Sequence, residues 1–328
     1  MKTRIALLAA VALLSINWTI RDLGTLPGGD SSFAMAISNR GEIVGASTNA
    51  AGAQRAVMFE PGIVEIPTAT GFLGSVANDI NDRKMVVGQS PSGGFRYTLA
   101  GGLVLLGAGT GAYAANTAND IAGYGTPGGI QRAVIWWGGS TPPTYIGALG
   151  TGNSSGTRDI ADSKSAVGWS RFSTSSAHSH AFLRATTTMI DLGTLGGLHS
   201  SADSLVVLGW PDPAYVATHV VGFSEIAAGN IHAFYWNAGT MTDLGTLPGD
   251  VESRALCINS SKVAVGYSKK STGAMRAVLW NGGIVELNSL IGYDPAWNLT
   301  IANGINNLGQ IVGSGLHFGK PRAFVLTP

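Results

Sequence analysis

Cysteine is almost absent from this chain of 328 residues, the single copy being Cys257. One cysteine excludes an internal disulfide framework. Other repeats carry Ala36, Asp79 or Gly304 at its position, which predicts a buried small side chain rather than a reactive thiol. Charged residues make up only 12% of the sequence, and the net charge is +1. Because neither a basic stripe nor an acidic run is present, nothing indicates nucleic acid or an anionic membrane surface as a partner.

Helical periodicity and long apolar runs are also lacking. Since no window has convincing 3.6-residue periodicity, we expect essentially no helix. Beyond the N-terminus no stretch is long and apolar enough to cross a membrane. Glycine, in contrast, is abundant at 47 residues, and 45% of the chain is hydrophobic. This composition favours many short strands joined by tight turns.

The N-terminus has the form of a secretory signal peptide. Lys2 and Arg4 precede an apolar run from Ile5 to Leu14, which is too short for a membrane span. We therefore expect residues 1–15 to be a signal peptide whose cleavage position is uncertain. Residues 16–328 are expected to form one domain, and the protein to be secreted or periplasmic rather than membrane-spanning.

A unit of about 45 residues recurs seven times along the chain. Most units have four short runs: a ("A-x-x-I-N"), b (ending in "V-V-G" or similar), c (opening with His or Arg, then Ala) and d ("D-L-G-T-L" or a worn version). Four strands over this length are typical of a β-propeller blade. The seven units therefore predict an all-β, seven-bladed propeller of four-stranded blades. The glycines that end run b are Gly45, Gly88, Gly123, Gly168, Gly222, Gly266 and Gly313.

The two ends of the chain predict how the ring closes. The segment "NWTIRDLG" near the N-terminus is a d run without a, b or c before it, and the C-terminal "PRAFVLTP" is a c run without d after it. We expect the N-terminal strand to complete the last blade, because this closes the circle and removes an exposed sheet edge.

The combined c–d–a–b phrase resembles the bacterial extracellular family of HAF-repeat proteins, named for His-Ala-Phe. The triplet itself begins at His180 and His232. The resemblance covers nearly the whole mature chain from Trp18 to Pro328. It implies secretion and repeat architecture, but no established activity and no catalytic residue.

The repeated polar residues are expected to be structural, because a catalytic residue is rarely needed seven times. The His or Arg that opens run c should bond a carboxylate or carbonyl of the next strand, and the Asp of run d and the Asn of run a should bond turn backbone. The glycines that end run b should let neighbouring blades approach. No cofactor, metal or catalytic residue is assigned. The residues concerned are Asp22, Asp191 and Asp243 in run d and Asn39, Asn81, Asn259 and Asn306 in run a.

Candidate binding residues lie where copies depart from the repeat. The b–c loops and d–a links should share one face, over the central opening, where propeller ligands usually sit. The candidates on that face are Arg171, His178, Glu225, Asp250, Glu252, Lys269, Lys270 and His317. An insertion in blade five adds Trp210 and Tyr215 on the opposite face, where they could stack on a sugar or simply cover a blade end. The sequence "GNSSG" from Gly152 matches G-x-S-x-G, but no helix follows to form a nucleophile elbow.

The sequence supports three functional hypotheses. The leading one is a secreted, non-enzymatic propeller that binds an unknown extracellular polymer, such as a glycan, or a protein partner. The alternatives are a propeller glycoside hydrolase or polysaccharide lyase, and a surface or matrix scaffold. An enzyme would need non-repeated Asp, Glu, His or Tyr side chains clustered near the axis on one face.

Overall fold

The computed structural model describes residues 18–60, 62–67, 74–174, 178–185, 187–209 and 218–328. The predicted signal peptide at residues 1–15 lies outside this range. Seven four-stranded antiparallel sheets form the blades of a β-propeller. The a–b turns of all seven blades line one cavity of about 360 Å³, so the a strands surround a central channel and the d strands lie outermost.

The strands follow the repeated runs. The a strands are β2 (Ser32–Ile37), β6 (Val76–Ile80), β10 (Thr110–Ala115), β14 (Ser155–Ile160), β18 (Gly196–Val207), β22 (Glu252–Ile258) and β26 (Trp297–Ile305). The b strands are β3 (Ile43–Thr48), β7 (Val86–Ser90), β11 (Ile121–Gly125), β15 (Ala166–Arg171), β19 (Thr218–Ile226), β23 (Ala264–Lys269) and β27 (Ile311–His317). The c strands are β4 (Gln54–Met58), β8 (Gly93–Thr98), β12 (Arg132–Trp136), β16 (Ser179–Arg184), β20 (Ile231–Asn237), β24 (Met275–Trp280) and β28 (Lys320–Thr327). The d strands are β5 (Val64–Glu65), β9 (Gly102–Leu105), β13 (Thr144–Gly147), β17 (Met189–Gly193), β21 (Thr240–Gly245), β25 (Ile284–Glu286) and, in blade seven, β1 (Thr19–Asp22).

Helical structure in the described residues is confined to short segments. The α-helix α1 spans Leu287–Leu290, and 3₁₀ turns span Pro127–Gly129 and Trp137–Gly139. The expectation of essentially no helix is therefore confirmed for this part of the chain. None of these helices is long and apolar enough to cross a membrane.

The predicted ring closure is confirmed. Strand β1 pairs antiparallel with β28, from Thr19 opposite Thr327 to Asp22 opposite Phe324. Leu23 and Leu26, which follow β1, are buried in a cluster between blades seven and one. The first and last strands thus share one sheet, and the outer edge of β28 is covered.

The hydrophobic core is divided among the blade interfaces. In the cluster between blades six and seven, Val265 and Leu279 pack against Leu299 and Phe324, all nearly or fully buried. Similar clusters join the other neighbouring pairs. Because both faces of each inner strand are buried in this way, hydrophobic alternation is blurred in the sequence.

Each a strand contains a β-bulge at the same place, and this bulge explains the glycines that end run b. In blade one, the pairing shifts between Ala34 and Ala36, opposite Gly45. A Cβ on Gly45 would lie 1.9 Å from the carbonyl oxygen of Phe33 in the same blade. A Cβ on any of the other six glycines would likewise lie about 2 Å from the equivalent carbonyl oxygen. The prediction that these glycines serve the approach of neighbouring blades is therefore wrong, because the close contact lies within each blade.

Candidate functional site

The histidines of the His-Ala-Phe triplets are held in contacts within their own blades. Nδ1 of His180 lies 2.9 Å from Oδ2 of Asp191 on the neighbouring d strand, and His232 lies 2.8 Å from Asp243 in the same way. Oδ1 of Asp191 also accepts a hydrogen bond from the amide of Gly193 at 2.8 Å. The structural role predicted for these residues is confirmed.

Arginine replaces this histidine in other blades and pairs with a carboxylate of the d strand in three of them, including blade seven, where Arg322 lies 3.8 Å from Asp22. Arg55 lies 3.4 Å from Glu65, and Arg276 lies 3.1 Å from Glu286. In blade two, however, Phe95 faces Gly88, so Arg96 lies three residues beyond the equivalent position. The prediction that His or Arg opens every c strand is therefore wrong for blade two, where Gly93 begins the strand.

The asparagines that end run a bridge successive blades. Asn81 accepts hydrogen bonds from the amides of Arg83 and Met85 in its own turn, and its amide group donates to the carbonyl of Asn116 in blade three at 2.7 Å. Asn259 and Asn306 have equivalent bonds, as predicted. Asn39 lies one position later, next to Ser38, and instead bonds Asp82 of blade two. Its predicted equivalence to the other three is wrong, although its amide also links two blades.

The b–c loops and d–a links share one face, which we call the loop face. The amide of Thr151, in a d–a link, donates to the carbonyl of Phe172, in a b–c loop, at 3.2 Å. Of the candidates predicted on this face, Glu252 and Lys269 pair with each other at 2.7 Å. Asp250 pairs instead with Arg276 at 2.7 Å and is buried.

The remaining loop candidates are dispersed around this face. Glu225 accepts a hydrogen bond from the amide of Leu198, and Lys270 is exposed in its turn. His317 stacks on Trp297, with ring centroids 4.2 Å apart, and its Nδ1 lies 2.7 Å from Asp22. These residues stay predictions as a binding set. The predicted platform residues Trp210 and Tyr215 lie outside the described residues.

A different group of non-repeated side chains converges at the channel. At the β-bulge of each a strand, one residue has no partner on the b strand. In blades three, four and five this residue is Tyr113, Arg158 and Asp203, respectively. Arg254, on the a strand of blade six, lies next to them in space. We call Tyr113, Arg158, Asp203 and Arg254 the channel cluster. The guanidinium carbon of Arg158 lies 4.5 Å from the centroid of the Tyr113 ring.

Aromatic side chains surround this cluster on the second strand of four successive blades. The residue after the glycine that ends run b is Tyr124, Trp169, Phe223 or Tyr267 in blades three to six, and we call these four the aromatic arc. The other three blades carry Ala46, Gln89 and Ser314 at this position. All four rings of the arc are partly exposed, so four of the seven blades present an aromatic ring at this position.

Small residues on the inner strand make room for the arc. Gly111 pairs with Tyr124, and a Cβ on Gly111 would lie 2.3 Å from the tyrosine ring. Gly156 pairs with Trp169, where a Cβ would lie 3.0 Å from the indole nitrogen. The rings therefore lie against backbone where a side chain would otherwise stand.

The arc and the channel cluster are in direct contact. The centroids of Tyr113 and Tyr124 are 5.7 Å apart, and the guanidinium carbon of Arg254 lies 4.0 Å from the centroid of Phe223. A cleft of about 320 Å³ opens beside them between blades four and five. Its lining includes Arg158, Trp169 and Phe223, together with Arg171 and His199. Of the predicted loop residues, Arg171 lines this cleft, and His178 lies beside it, with its ring centroid 5.8 Å from that of His199.

Burial governs the electrostatics of the cluster. Burial raises the pKa of Asp203 to about 6, although the nearby guanidiniums of Arg158 and Arg254 act to lower it. Burial likewise raises the pKa of Tyr124 and of Tyr267. Both phenols therefore stay protonated at neutral pH and can donate hydrogen bonds.

The opposite end of the channel is acidic and contains the single cysteine. Burial raises the pKa of Asp79 to about 7, and it also raises the pKa of Asp159. Burial raises the pKa of Cys257 to about 11, which is consistent with an unreactive thiol. Among the described residues, no three His, Cys, Asp or Glu side chains are grouped as a metal site would require. The "GNSSG" segment from Gly152 leads into strand β14, which begins at Ser155, rather than into a helix. The buried hydroxyl of Ser155 accepts a hydrogen bond from the amide of Ala133.

Sequence reasoning missed the channel cluster and the arc because it concentrated on loops. The arc is visible as a pattern once the glycine that ends run b is aligned, since the next residue is aromatic in four consecutive repeats. The cluster has a weaker signal, because its members occupy the variable places of run a. Only the bulge brings Tyr113, Arg158 and Asp203 to equivalent places around the axis.

Comparisons with known proteins support the fold. No family model matches the sequence, and no curated protein matches it. An oligogalacturonate lyase from Vibrio parahaemolyticus is 10% identical with a TM-score of 0.58, covering 95% of this chain and 97% of that chain. The β-propeller domain of the trilobed protease from Pyrococcus furiosus is 11% identical with a TM-score of 0.51, covering 77% and 80%. A puromycin-hydrolysing peptidase from Mycobacterium tuberculosis is 13% identical with a TM-score of 0.55, covering 88% and 49%. The protein is a seven-bladed β-propeller similar in fold to parts or all of these enzymes.

Proposed function

We propose that this protein is a secreted ligand-binding propeller whose ligand enters the central channel from the loop face. The observation that carries the proposal is the one-sided wall of the channel. Aromatic rings occupy the same position in blades three to six, and the charged residues Arg158, Asp203 and Arg254 lie beside them. Concave sites with aromatic walls and a few polar groups are typical of ligand pockets.

This proposal is favoured over a scaffold that works through its repeats alone. The repeated residues are occupied within and between the blades, as the pairs His180–Asp191 and His232–Asp243 illustrate. The channel residues instead break the repeat, and they do so in consecutive blades. A function grafted on a repeat fold is expected at such departures.

Export is part of the same proposal. It is supported by the signal-like N-terminus, with Lys2 and Arg4 before an apolar run, and by the resemblance to the HAF-repeat proteins. An extracellular polymer or protein is therefore the class of ligand that we propose.

A propeller lyase or hydrolase acting on polysaccharide is a second candidate, favoured by the carboxyl of Asp203. Its pKa of about 6 suits a group that exchanges protons near neutral pH. In a lyase reaction a base would remove the proton α to a sugar carboxylate, the C–O bond to the leaving sugar would break, and that oxygen would regain a proton. A solved neighbour of the fold is an oligogalacturonate lyase, which is compatible with this candidate.

A glycan array probed with the purified mature chain tests the binding proposal. Trp169→Ala should weaken binding to any glycan retained by the parent about tenfold, because one aromatic stacking surface is lost. Gln89→Ala is the matched control, since Gln89 has the equivalent position in blade two, away from the arc. Equal effects of the two substitutions, or the absence of any bound glycan or protein partner, would refute a channel site.

The same glycans show whether the protein only binds them or also cleaves them. After prolonged incubation, mass spectrometry should recover the bound glycan intact if the protein only binds it. A product with a new double bond or a new reducing end, formed by the parent and lost in Asp203→Asn, would establish the enzyme candidate in its place.

A further inference from the structure

The two arginines of the channel cluster have no anionic partner of their own. Within the described part of the chain, neither Arg158 nor Arg254 forms a hydrogen bond or an ion pair, and each instead lies over an aromatic ring. Their Nε atoms are buried without a hydrogen-bond acceptor there, as is the hydroxyl of Ser201 between them. Buried polar groups are normally hydrogen-bonded, so the donors of this site exceed its acceptors.

The carboxyl of Asp203 is close to both guanidiniums. It influences them through charge but forms no ion pair with either in the described residues. Two cations and one carboxyl leave the cluster with a net positive charge when Asp203 is ionised and a larger one when it is protonated. The site therefore favours an anion.

The surroundings of the arginines define the rest of the ligand. Trp169 and Phe223 line the cleft of about 320 Å³ next to Arg158. Planar guanidiniums bind carboxylate and related oxyanions through paired N–H donors. Aromatic faces offer flat apolar surface to the C–H faces of a ring. A ligand that uses both features carries anionic groups on apolar-faced rings.

Building on the proposed function, we infer that the channel ligand is an anionic saccharide. Its carboxylate or sulfate groups bind Arg158 and Arg254, and its sugar rings pack on the aromatic arc. Nucleic acid would also stack on aromatic rings, but it requires cations along a backbone with a charge at every nucleotide. The chain has a net charge of only +1, and the cluster contributes two cations.

Titration calorimetry with matched oligosaccharides tests the inference. The ligands are a panel of uronic acid tetrasaccharides, their carboxyl-reduced neutral counterparts, and sulfated tetrasaccharides of the same length. We expect the parent protein to bind a charged member at least tenfold more tightly than its neutral counterpart. The uronic acid and sulfated members distinguish the two sources of negative charge.

Substitutions of the arginines test whether the preference for a charged ligand arises at the channel cluster. Arg254→Gln and Arg158→Gln should each weaken binding of the charged tetrasaccharide about tenfold to a hundredfold, the range for a hydrogen bond to a charged group. Arg158→Lys should recover part of the loss, because it restores charge without the planar pair of donors. Arg83→Gln, an exposed arginine of an a–b turn in blade two, is the matched control and should bind like the parent.

The outcomes distinguish this inference from the proposed function. Preference for a neutral saccharide, lost in Trp169→Ala, would overturn the anionic inference and leave the channel proposal standing. Charged ligands that bind equally to Arg254→Gln and Arg83→Gln would overturn it as well, by placing the anion elsewhere. Because the comparison of charged and neutral ligands uses the parent protein, it decides the question even if an arginine variant fails to fold.

Discussion

Replacement of Asp79 by asparagine should remove a pH dependence of stability that this carboxyl imposes on the propeller. Asp79 follows the bulged residue of β6, and burial raises its pKa from 3.8 to about 7. Between these values the folded protein retains a proton that the unfolded chain releases. The unfolded state then binds fewer protons, so the free energy of unfolding falls as the pH rises.

The size of the effect follows from the shift. One pKa unit corresponds to about 1.4 kcal/mol, so the full shift is worth about 4 kcal/mol, of which about 2–3 kcal/mol falls between pH 5 and pH 8. The asparagine can keep the acceptor that Asp79 offers to the amide of Ala115 at 2.8 Å. Relative to the parent, the free energy of unfolding of Asp79→Asn should therefore rise by about 2–3 kcal/mol as the pH is raised across this range.

Urea unfolding followed by tryptophan fluorescence at pH 5, 6, 7 and 8 measures this difference. Asp162→Asn is the matched control, because it removes an exposed carboxyl from the same ring of turns. Its unfolding free energy should follow the slope of the parent. Parallel pH profiles for Asp79→Asn and the parent would refute the reasoning, since they would mean that Asp79 titrates alike in the folded and unfolded chains.

Three further predictions concern single side chains. Affinity for an anionic saccharide should fall as the pH rises through about 6, because ionised Asp203, beside the neutral phenol of Tyr267, competes with the ligand for Arg158 and Arg254. In titration calorimetry, Asp203→Asn should bind the saccharide more tightly than the parent at pH 8 and lose this pH dependence. A parent affinity that does not change with pH would contradict the competition. Asp243→Ala removes the contact to His232 and the 2.7 Å hydrogen bond from the amide of Gly245, and should lower the free energy of unfolding by about 1–2 kcal/mol. Ligand affinity should not change, and a loss of affinity would reveal a functional role for the His-Ala-Phe triplet. Gly45→Ala brings a Cβ to 1.9 Å from a carbonyl oxygen and should strongly lower the midpoint of thermal unfolding, whereas Gly62→Ala, with open space around it, should not. Similar midpoints for the two variants would show that β3 can shift without cost.

Much of the fold could be predicted from the sequence because the blade signals are local. Runs of the type of "RAFVL" form a strand in the blades that contain them, and the seven glycines that end run b indicate the number of blades. The errors concern details that depend on pairing between strands. Residue type alone places Arg96 at the start of a c run, but the short hairpin of β7 and β8 shifts it by three positions. Asn39 was aligned by its amide, but Ser38 occupies the equivalent turn position.

The candidate site was much less predictable. Its members are separated by up to 154 positions, from Tyr113 to Tyr267, and sequence reasoning favoured loop residues that are largely engaged with close neighbours. The pair Glu252–Lys269, for example, holds two predicted binding residues together within blade six. Unlike the loops, the inner strands give little sign in the sequence of which side chains reach the channel.

The sequence by itself determined the number of blades and the closure of the ring by β1. Both depend on the order and completeness of repeated strands, which are written along the chain. Only the tertiary structure decided what the channel contains. The bulges turn one side chain per blade out of the regular alternation, and the circular arrangement brings Arg158, Asp203 and Arg254 together from three blades. Their proximity arises from the geometry of the ring, which no single repeat encodes.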